Sequence, residues 1–370
     1  MIRSCLMVTT LLLLASSTLA RTPGFWSLGD LPGGEFDSWA EGVSADGSVV
    51  VGHSRTASGT EAFRWTLADG MVGLGRLPGS ADGTWAYGVS GDSTVVIGVD
   101  SANAYQSFRW TASEGMVTLN HPPGIPTSGA RAASWDGSVI VGEGNLWGNR
   151  KAYRWSAGGG PMVDLGNLPG YPQSGAFGVS GDGRIVVGGR YQYPKGEAFY
   201  WTEQTGLVGL GDLPGGLSRS FAYAISSDGT VIVGQSDSAS GPEAFRWAKE
   251  GGMQGLGDLP GGYFDSLAFD TSADGSVVVG TADSYGNAFI WEEGKGMRSV
   301  YSVLTQECGL QLPGWSLKRA YGVSDDGCVI VGVGVHAPGV YEAWLAVTPE
   351  PATLSLLALG GLLALHRRRK

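Results

Sequence analysis

The chain repeats itself, and the repeat limits what it can fold into. Ser-Ala-Asp-Gly-Ser-Val-Val-Val-Gly occurs at residues 44–52 and again at 272–280. Variants occupy 90–98, 134–142, 180–188, 226–234 and 324–332. The central aspartates are Asp46, Asp92, Asp136, Asp182, Asp228, Asp274 and Asp326, spaced by 46, 44, 46, 46, 46 and 52 residues. A second motif, Glu-Ala-Phe-Arg-Trp, ends at Trp65 and Trp247, with relatives ending at Trp110, Trp155, Trp201 and Trp291. A third, Leu-Gly-Asp-Leu-Pro-Gly-Gly, starts at Leu28, Leu210 and Leu256, with looser copies at Leu74 and Leu165. Such self-similarity at a near-fixed period means a solenoid, a propeller or an array.

Each unit reads as four short strands. In the first unit, Ala40–Ser44 is followed by the hairpin turn Asp46-Gly47, because Gly accepts positive φ and Asp tolerates it. Ser48–Gly52 is apolar on both faces, as in a strand covered on both sides. Phe63 and Trp65 share one face of Glu61–Thr66, and Gly70–Leu74 forms the fourth strand before Pro78 breaks the pattern. The sequence therefore predicts an all-β fold, a seven-bladed β-propeller with four-stranded blades. The strand rich in Ala, Gly and Ser suits the crowded axis. On that phasing the chain begins with an unpaired outer strand, Phe25–Leu28, and its last unit lacks one. The first strand should then complete the last blade, whereas a solenoid would leave two capped ends. The one helical candidate is Met297–Gln306, with Val300, Val303 and Leu304 on one face.

The two ends of the chain read as addresses. Residues 1–20 carry Arg3, an apolar run from Leu6 to Ala15, and small residues leading to cleavage after Ala20, the layout of a secretory signal. Residues 21–348 form the repeat body. Residues 349–370 contain Pro349, Glu350 and Pro351, a short apolar stretch from Ala352 to Leu365, and the cations Arg367, Arg368, Arg369 and Lys370. Fourteen apolar residues fall short of the roughly 20 that span a bilayer unaided, although flanking cations can snorkel. This tail resembles the PEP-CTERM sorting signal of Gram-negative bacteria. The resemblance implies transient anchoring in the inner membrane, cleavage near the Pro-Glu-Pro triplet by an exosortase, and delivery to the cell surface or beyond. A permanent anchor is the alternative.

The repeats resemble the HAF family of bacterial extracellular repeats, over residues 25–347. The family tripeptide position is filled by Glu61-Ala62-Phe63, Glu197-Ala198-Phe199 and Glu243-Ala244-Phe245, with glutamate in place of the family's histidine. The final unit, with Leu312–Leu317, Ala320–Gly332 and Glu342-Ala343-Trp344, is similar to the family's usual last repeat. The family implies export and a repeat fold, not an activity.

Removing Arg3 and the four terminal cations leaves 19 basic against 34 acidic residues, a net charge of −15. Such a body repels nucleic acid. Cys308 and Cys328 are the cysteines of the body, and in an oxidising compartment they form a candidate disulfide. No zinc, nucleophile-elbow or phosphate-loop motif occurs, so the sequence assigns no catalytic and no metal residues. His53, His121 and His336 lie outside the repeated motifs and read as solvated loop residues. No cofactor is expected. Structural calcium on the aspartate ring is the lesser option, because turn geometry already accounts for Asp-Gly, and turn formation likewise accounts for Asp30, Asp212 and Asp258. Six tryptophans at one strand position read as core, while Trp85, Trp135, Trp147 and Trp315 stand apart. Trp147, in a loop, is the candidate ligand contact.

These features point to an exported binding or structural module, not an enzyme. Its partner would be exopolysaccharide or another surface protein. The alternative is an extracellular polysaccharide lyase or hydrolase, which should gather charged residues at one channel mouth. In the sequence the departures from symmetry are dispersed.

Overall fold

The computed structural model describes residues 21–350, apart from 81–82, 102–104, 120–126, 147–148, 157–161, 169, 193–194, 284–285 and 338. The expected signal segment with Ala20, the segment from Pro351 onward, Trp147 and His121 lie outside the described residues.

Strand β1 (Gly24–Ser27) precedes a series of antiparallel meanders. The first is β2 (Gly33–Val43), β3 (Val49–Thr56), β4 (Gly59–Thr66) and β5 (Gly70–Gly73). The second is β6 (Thr84–Val89), β7 (Val96–Asp100), β8 (Gln106–Thr111) and β9 (Gly115–Thr118). The third is β10 (Thr127–Ala133), β11 (Val139–Leu146), β12 (Asn149–Ser156) and β13 (Val163–Asp164). Two meanders follow: β14 (Gln173–Val179), β15 (Val186–Gln192), β16 (Lys195–Thr202) and β17 (Gly206–Gly211), then β18 (Gly215–Ile225), β19 (Val231–Ser238), β20 (Gly241–Ala248) and β21 (Gly252–Gly255). The next is β22 (Ser266–Thr271), β23 (Val277–Ala282), β24 (Asn287–Glu292) and β25 (Gly296–Ser299). The last is β26 (Ser316–Val323), β27 (Val329–Ala337) and β28 (Val340–Val347), completed at its outer edge by β1. Gly24 pairs with Val347 and Ser27 with Trp344, so the first strand fills the place the last unit lacks.

The expected count of seven separate blades needs correction. Five sheets are four-stranded blades, and the other eight strands, β14 to β21, belong to one sheet. Its halves are linked by a single parallel bridge, Gly196 to Arg219. Arg219 lies in the early part of β18, and β2, which is equally long, makes no such bridge to the preceding blade.

Packing follows the repeat. Buried apolar residues fall into seven clusters, each drawn from two consecutive repeats. One of them joins Val50, Phe63 and Trp65 of the first repeat to Val331 and Ala343 of the last. The repeated tryptophans sit in or against these clusters, as core. The Asp-Gly turns are tied into a circuit of backbone hydrogen bonds around the axis. Ala45 N donates to Gly91 O (3.2 Å), Asp92 N to Trp135 O (2.9 Å), Trp135 N to Gly181 O (3.0 Å) and Gly181 N to Ser227 O (2.9 Å). Asp228 N then donates to Ala273 O (3.1 Å), Ala273 N to Asp325 O (3.1 Å) and Asp325 N back to Ala45 O (2.9 Å). The circuit closes on its first member, which two open ends would forbid.

The inner strands share one irregularity. Each shifts register just after its alanine: Ala40/Gly42, Ala86/Gly88, Ala130/Ala132, Ala176/Gly178, Ala222/Ala224, Ala268/Asp270 and Ala320/Gly322. A β-bulge leaves one residue unpaired and re-aims it. The glycine that ends the Val-Val-Val-Gly motif faces this bulge. A Cβ at Gly234 would run into the carbonyl oxygen of Phe221, and the same holds for Gly52 against Trp39 and Gly332 against Arg319. Gly234→Ala is therefore expected to cost at least about 2 kcal/mol, within the usual range for overpacking, read as a lowered urea midpoint. An unchanged midpoint would show that the bulge can relax.

Val300–Ser302 forms a single α-helical turn and Val303–Glu307 a π-helical one. Val300, Val303 and Leu304 are buried against the last two repeats, on the face the sequence indicates.

Candidate functional site

The seven bulges build the site. The re-aimed residues are Glu41, Tyr87, Arg131, Phe177, Tyr223, Phe269 and Tyr321, and all line one axial cavity of about 480 Å3. Below them the strands draw together at Gly or Ala, because a Cβ at Gly178 would already touch Ala224 Cα and Tyr223 O. Asp270 is the exception at that level.

Two sides of the cavity differ. Repeats four to seven supply an arc of rings: Phe177 and Tyr223 are 5.7 Å apart, Tyr223 and Phe269 6.3 Å, and Phe269 and Tyr321 4.8 Å. Trp39 continues the arc 6.4 Å from Tyr321, and its ring stacks on His53 at 5.9 Å. Repeats one to three supply charge. Arg131 lies over Tyr87 at 4.7 Å and bonds Glu143 at 2.9 Å, and Arg150 lies 3.4 Å from Glu143. A second, smaller hollow beside Tyr105 shares Tyr87, Arg131, Glu143 and Arg150, so the cavity opens toward this cluster. Arg319, from the last repeat, donates to the Tyr321 hydroxyl at 2.8 Å.

Burial dominates the electrostatics. It pushes Glu41 up to about 7 against the opposing pull of Arg131 and Arg319. It also pushes Asp270 up to about 7, although Val323 N (2.9 Å) and Thr271 N (2.8 Å) both donate to its carboxyl. Burial depresses His53 to about 4, so the imidazole, 3.7 Å from Glu41, is neutral at pH 7. Burial thus shifts both Glu41 and Asp270 toward the protonated form, the direction that suits a carboxyl to general acid or base work near neutrality.

The sequence-based site residues fare unevenly. His53 is not a solvated loop residue: it sits on β3, partly buried against Trp39. His336 is also a strand residue, stacked on Trp315 at 4.8 Å beside Glu342. Cys308 and Cys328 are free thiols, not a disulfide. Cys308 closes the π-helical turn, while Cys328 is buried in the last Asp-Gly turn, donating toward Asp326 O, where the first repeat has Ser48. Of the tryptophans set apart, Trp135 lines the cavity at the turn end, packed over Gly91 and half exposed.

The aspartates of the Asp-Gly turns have local work. Ser44 Oγ and Ser48 N donate to Asp46 at 2.8 and 2.9 Å, and the pattern recurs at Asp92, Asp182 and Asp274. Burial raises these carboxyls, but the hydrogen bonds outweigh it and hold them below their ordinary range. Asp30 and Asp258 accept from Asp37 N and Asp265 N and so shape the Leu-Pro-Gly loops.

Glu41, Arg131 and Asp270 carry the asymmetry. The signal for the first two was one column, the residue after the invariant alanine, which reads Glu, Tyr, Arg, Phe, Tyr, Phe, Tyr. Residues spread through the chain thus converge on one cavity.

Residues 347–370 match the PEP-CTERM protein-sorting motif. The motif implies export, a surface or extracellular location, and processing by an exosortase. No described helix is long and apolar enough to cross a membrane, and the apolar stretch of the motif lies outside the described residues. No curated protein matches the chain. Among solved structures, the chain is similar to an oligogalacturonate lyase from Vibrio parahaemolyticus, at 11% identity and a TM-score of 0.59, covering 89% of this chain and 97% of that one. It is also similar to an oligogalacturonate lyase in complex with manganese, at 13% identity and a TM-score of 0.56, covering 90% and 98%. A putative TolB from Agrobacterium tumefaciens matches at 14% identity and a TM-score of 0.47, covering 71% and 88%. The two lyase likenesses show the fold alone, an all-β propeller, and residues 347–370 add the export motif to it.

Proposed function

We propose that this is a surface or extracellular-matrix module that binds a saccharide in its axial cavity. The HAF-like repeats would form seven blades, each half of the eight-stranded sheet acting as one. The observation that carries the binding reading is the two-sided cavity. An arc of rings suits the apolar face of a sugar, and a facing set of charged and hydroxyl groups suits its polar edge.

The chain ends support this reading. Gly24 and Val347 lie at the Asp-Gly end of the ring, where Arg21 reaches Asp46 O (2.7 Å) and Asp326 (3.0 Å). Thr348, Pro349, Glu350 and Pro351 give at most about 14 Å of extended chain before the apolar stretch. While that stretch is held in a membrane, the arginine-lined mouth faces away from it. Exosortase cleavage would then release the ring to the surface or the exopolysaccharide matrix.

The test is a glycan array followed by titration calorimetry on residues 21–348. Saturable saccharide binding is expected, weakened at least about tenfold in Tyr223→Ala, as for a central aromatic contact. A folded protein that binds no glycan, or a Tyr223→Ala variant that binds equally well, would sink the reading. A second reading, an enzyme acting on the bound glycan, is favoured by Glu41 and Asp270 sharing the cavity with their raised pKa values. Analysis of the same incubations for new chain ends decides between the two.

A further inference from the structure

The cavity mouth differs in charge from the rest of the molecule. The body, residues 21–348, carries 19 basic and 33 acidic residues, a net charge of −14, yet Arg131 and Arg150 line this end and Arg319 bonds the Tyr321 hydroxyl beside it. Glu143 is the carboxylate ion-paired with the first two. Among the described residues no carboxylate is ion-paired with Arg319, whose nearest bond is to the neutral Tyr321 hydroxyl. Glu41, buried between Arg131 and Arg319, is a weak counter-charge near neutral pH.

Among the described residues, no arginine or lysine lines the far end of the cavity. Asp270 and Asp325 line it, and both are carboxyls. A ligand with one anionic group is therefore drawn with that group toward the mouth and its neutral part inward along the rings. Guanidinium groups hold carboxylate and sulfate through paired, charge-assisted hydrogen bonds, which a neutral hydroxyl cannot match.

Resting on the saccharide reading above, we propose that the ligand is an acidic saccharide, its carboxylate or sulfate held at the cavity mouth by Arg131, Arg150 and Arg319. The ring arc from Phe177 to Tyr321 takes the sugar face, and the arginines set its polarity along the axis.

The experiment titrates residues 21–348 with three probes of equal length: a uronate hexasaccharide, a sulfated neutral hexasaccharide and cellohexaose. Each titration is run at low and at physiological salt. An acidic probe should bind at least about tenfold more tightly than cellohexaose and weaken with salt, as charge-assisted contacts do. Which acidic probe binds tells carboxylate from sulfate. Arg319→Gln and, separately, Arg150→Gln should weaken the acidic probe several-fold and by a clearly larger factor than cellohexaose, with circular dichroism confirming the fold. Equal or tighter binding of cellohexaose, or no effect of either arginine variant, overturns the acidic ligand and leaves the saccharide reading standing. No binding of any probe overturns both.

Discussion

A chain shortened to begin at Gly29 is expected to lose at least about 5 kcal/mol of stability and to associate in solution. The deletion removes β1, which lies along β28 from Gly24–Val347 to Ser27–Trp344. Phe25 packs edge-on to Trp315 at 5.0 Å and beside Trp344 at 6.3 Å, and Leu28 is buried between the first and last repeats. Removing a packed Phe costs about 3 kcal/mol or more and a buried Leu about 2 or more. That sum is a large part of the 5–15 kcal/mol that ordinarily separates folded from unfolded chains. The loss also bares a long, apolar strand edge at β28, which invites pairing with another copy. Urea unfolding and light scattering read the two effects.

A permuted chain separates closure from mere truncation. If the segment from Gly24 to Leu28 is moved behind Val347 through a short turn, every strand keeps its neighbour, because Gly24 and Val347 already face each other. This permutant should unfold near the parent midpoint. Equal stability of parent, truncated chain and permutant would show that the ring is held without its first strand.

Much of this architecture was legible before the structure. The Val-Val-Val-Gly strands, the Asp-Gly turns, the missing outer strand of the last unit and the Val300, Val303 and Leu304 face all depend on local spacing, and each fell where its spacing placed it. The merged sheet was not legible, since one bridge between Gly196 and Arg219 joins its halves, while the same Leu-Pro-Gly-Gly motif before β2 leads to an equally long strand without such a bridge. The site was nearly invisible for a related reason. Glu41, Arg131 and Asp270 lie in different repeats, and only the bulge turns the first two inward. Trp147 drew notice as an aromatic in a loop, whereas the aromatic arc came from residues inside the repeat that resembled ordinary strand positions.

Glu41→Gln and Asp270→Asn should each stabilise the protein above pH 7 and flatten its stability between pH 4.5 and 7. Both carboxyls have folded pKa values near 7, against ordinary values of 4.5 and 3.8, and burial is the leading cause in each. The folded state therefore holds more protons than the unfolded one across that window. Stability that depends on these groups is fully present below their ordinary values and falls as pH rises toward 7. Each shift corresponds to at most about 3–4 kcal/mol. For Glu41 it is less, because 15% of its side chain remains exposed. The turn aspartates act in the other direction. Asp46, Asp92, Asp182 and Asp274 are held low, so their contribution is present above about 4 and is lost as the solution becomes more acidic. The two sets together place the stability maximum near pH 4–5 rather than at neutrality. Thermal unfolding from pH 3 to 9 checks this: the parent should peak in that range, and the double variant should lose clearly less stability between pH 5 and 8, the remaining loss coming from other buried carboxyls such as Asp30, which burial raises to about 6. A parent as stable at pH 8 as at pH 5 would mean that water or a counter-charge reaches both carboxyls, and that the cavity is wetter and more open than its lining of rings and small residues indicates.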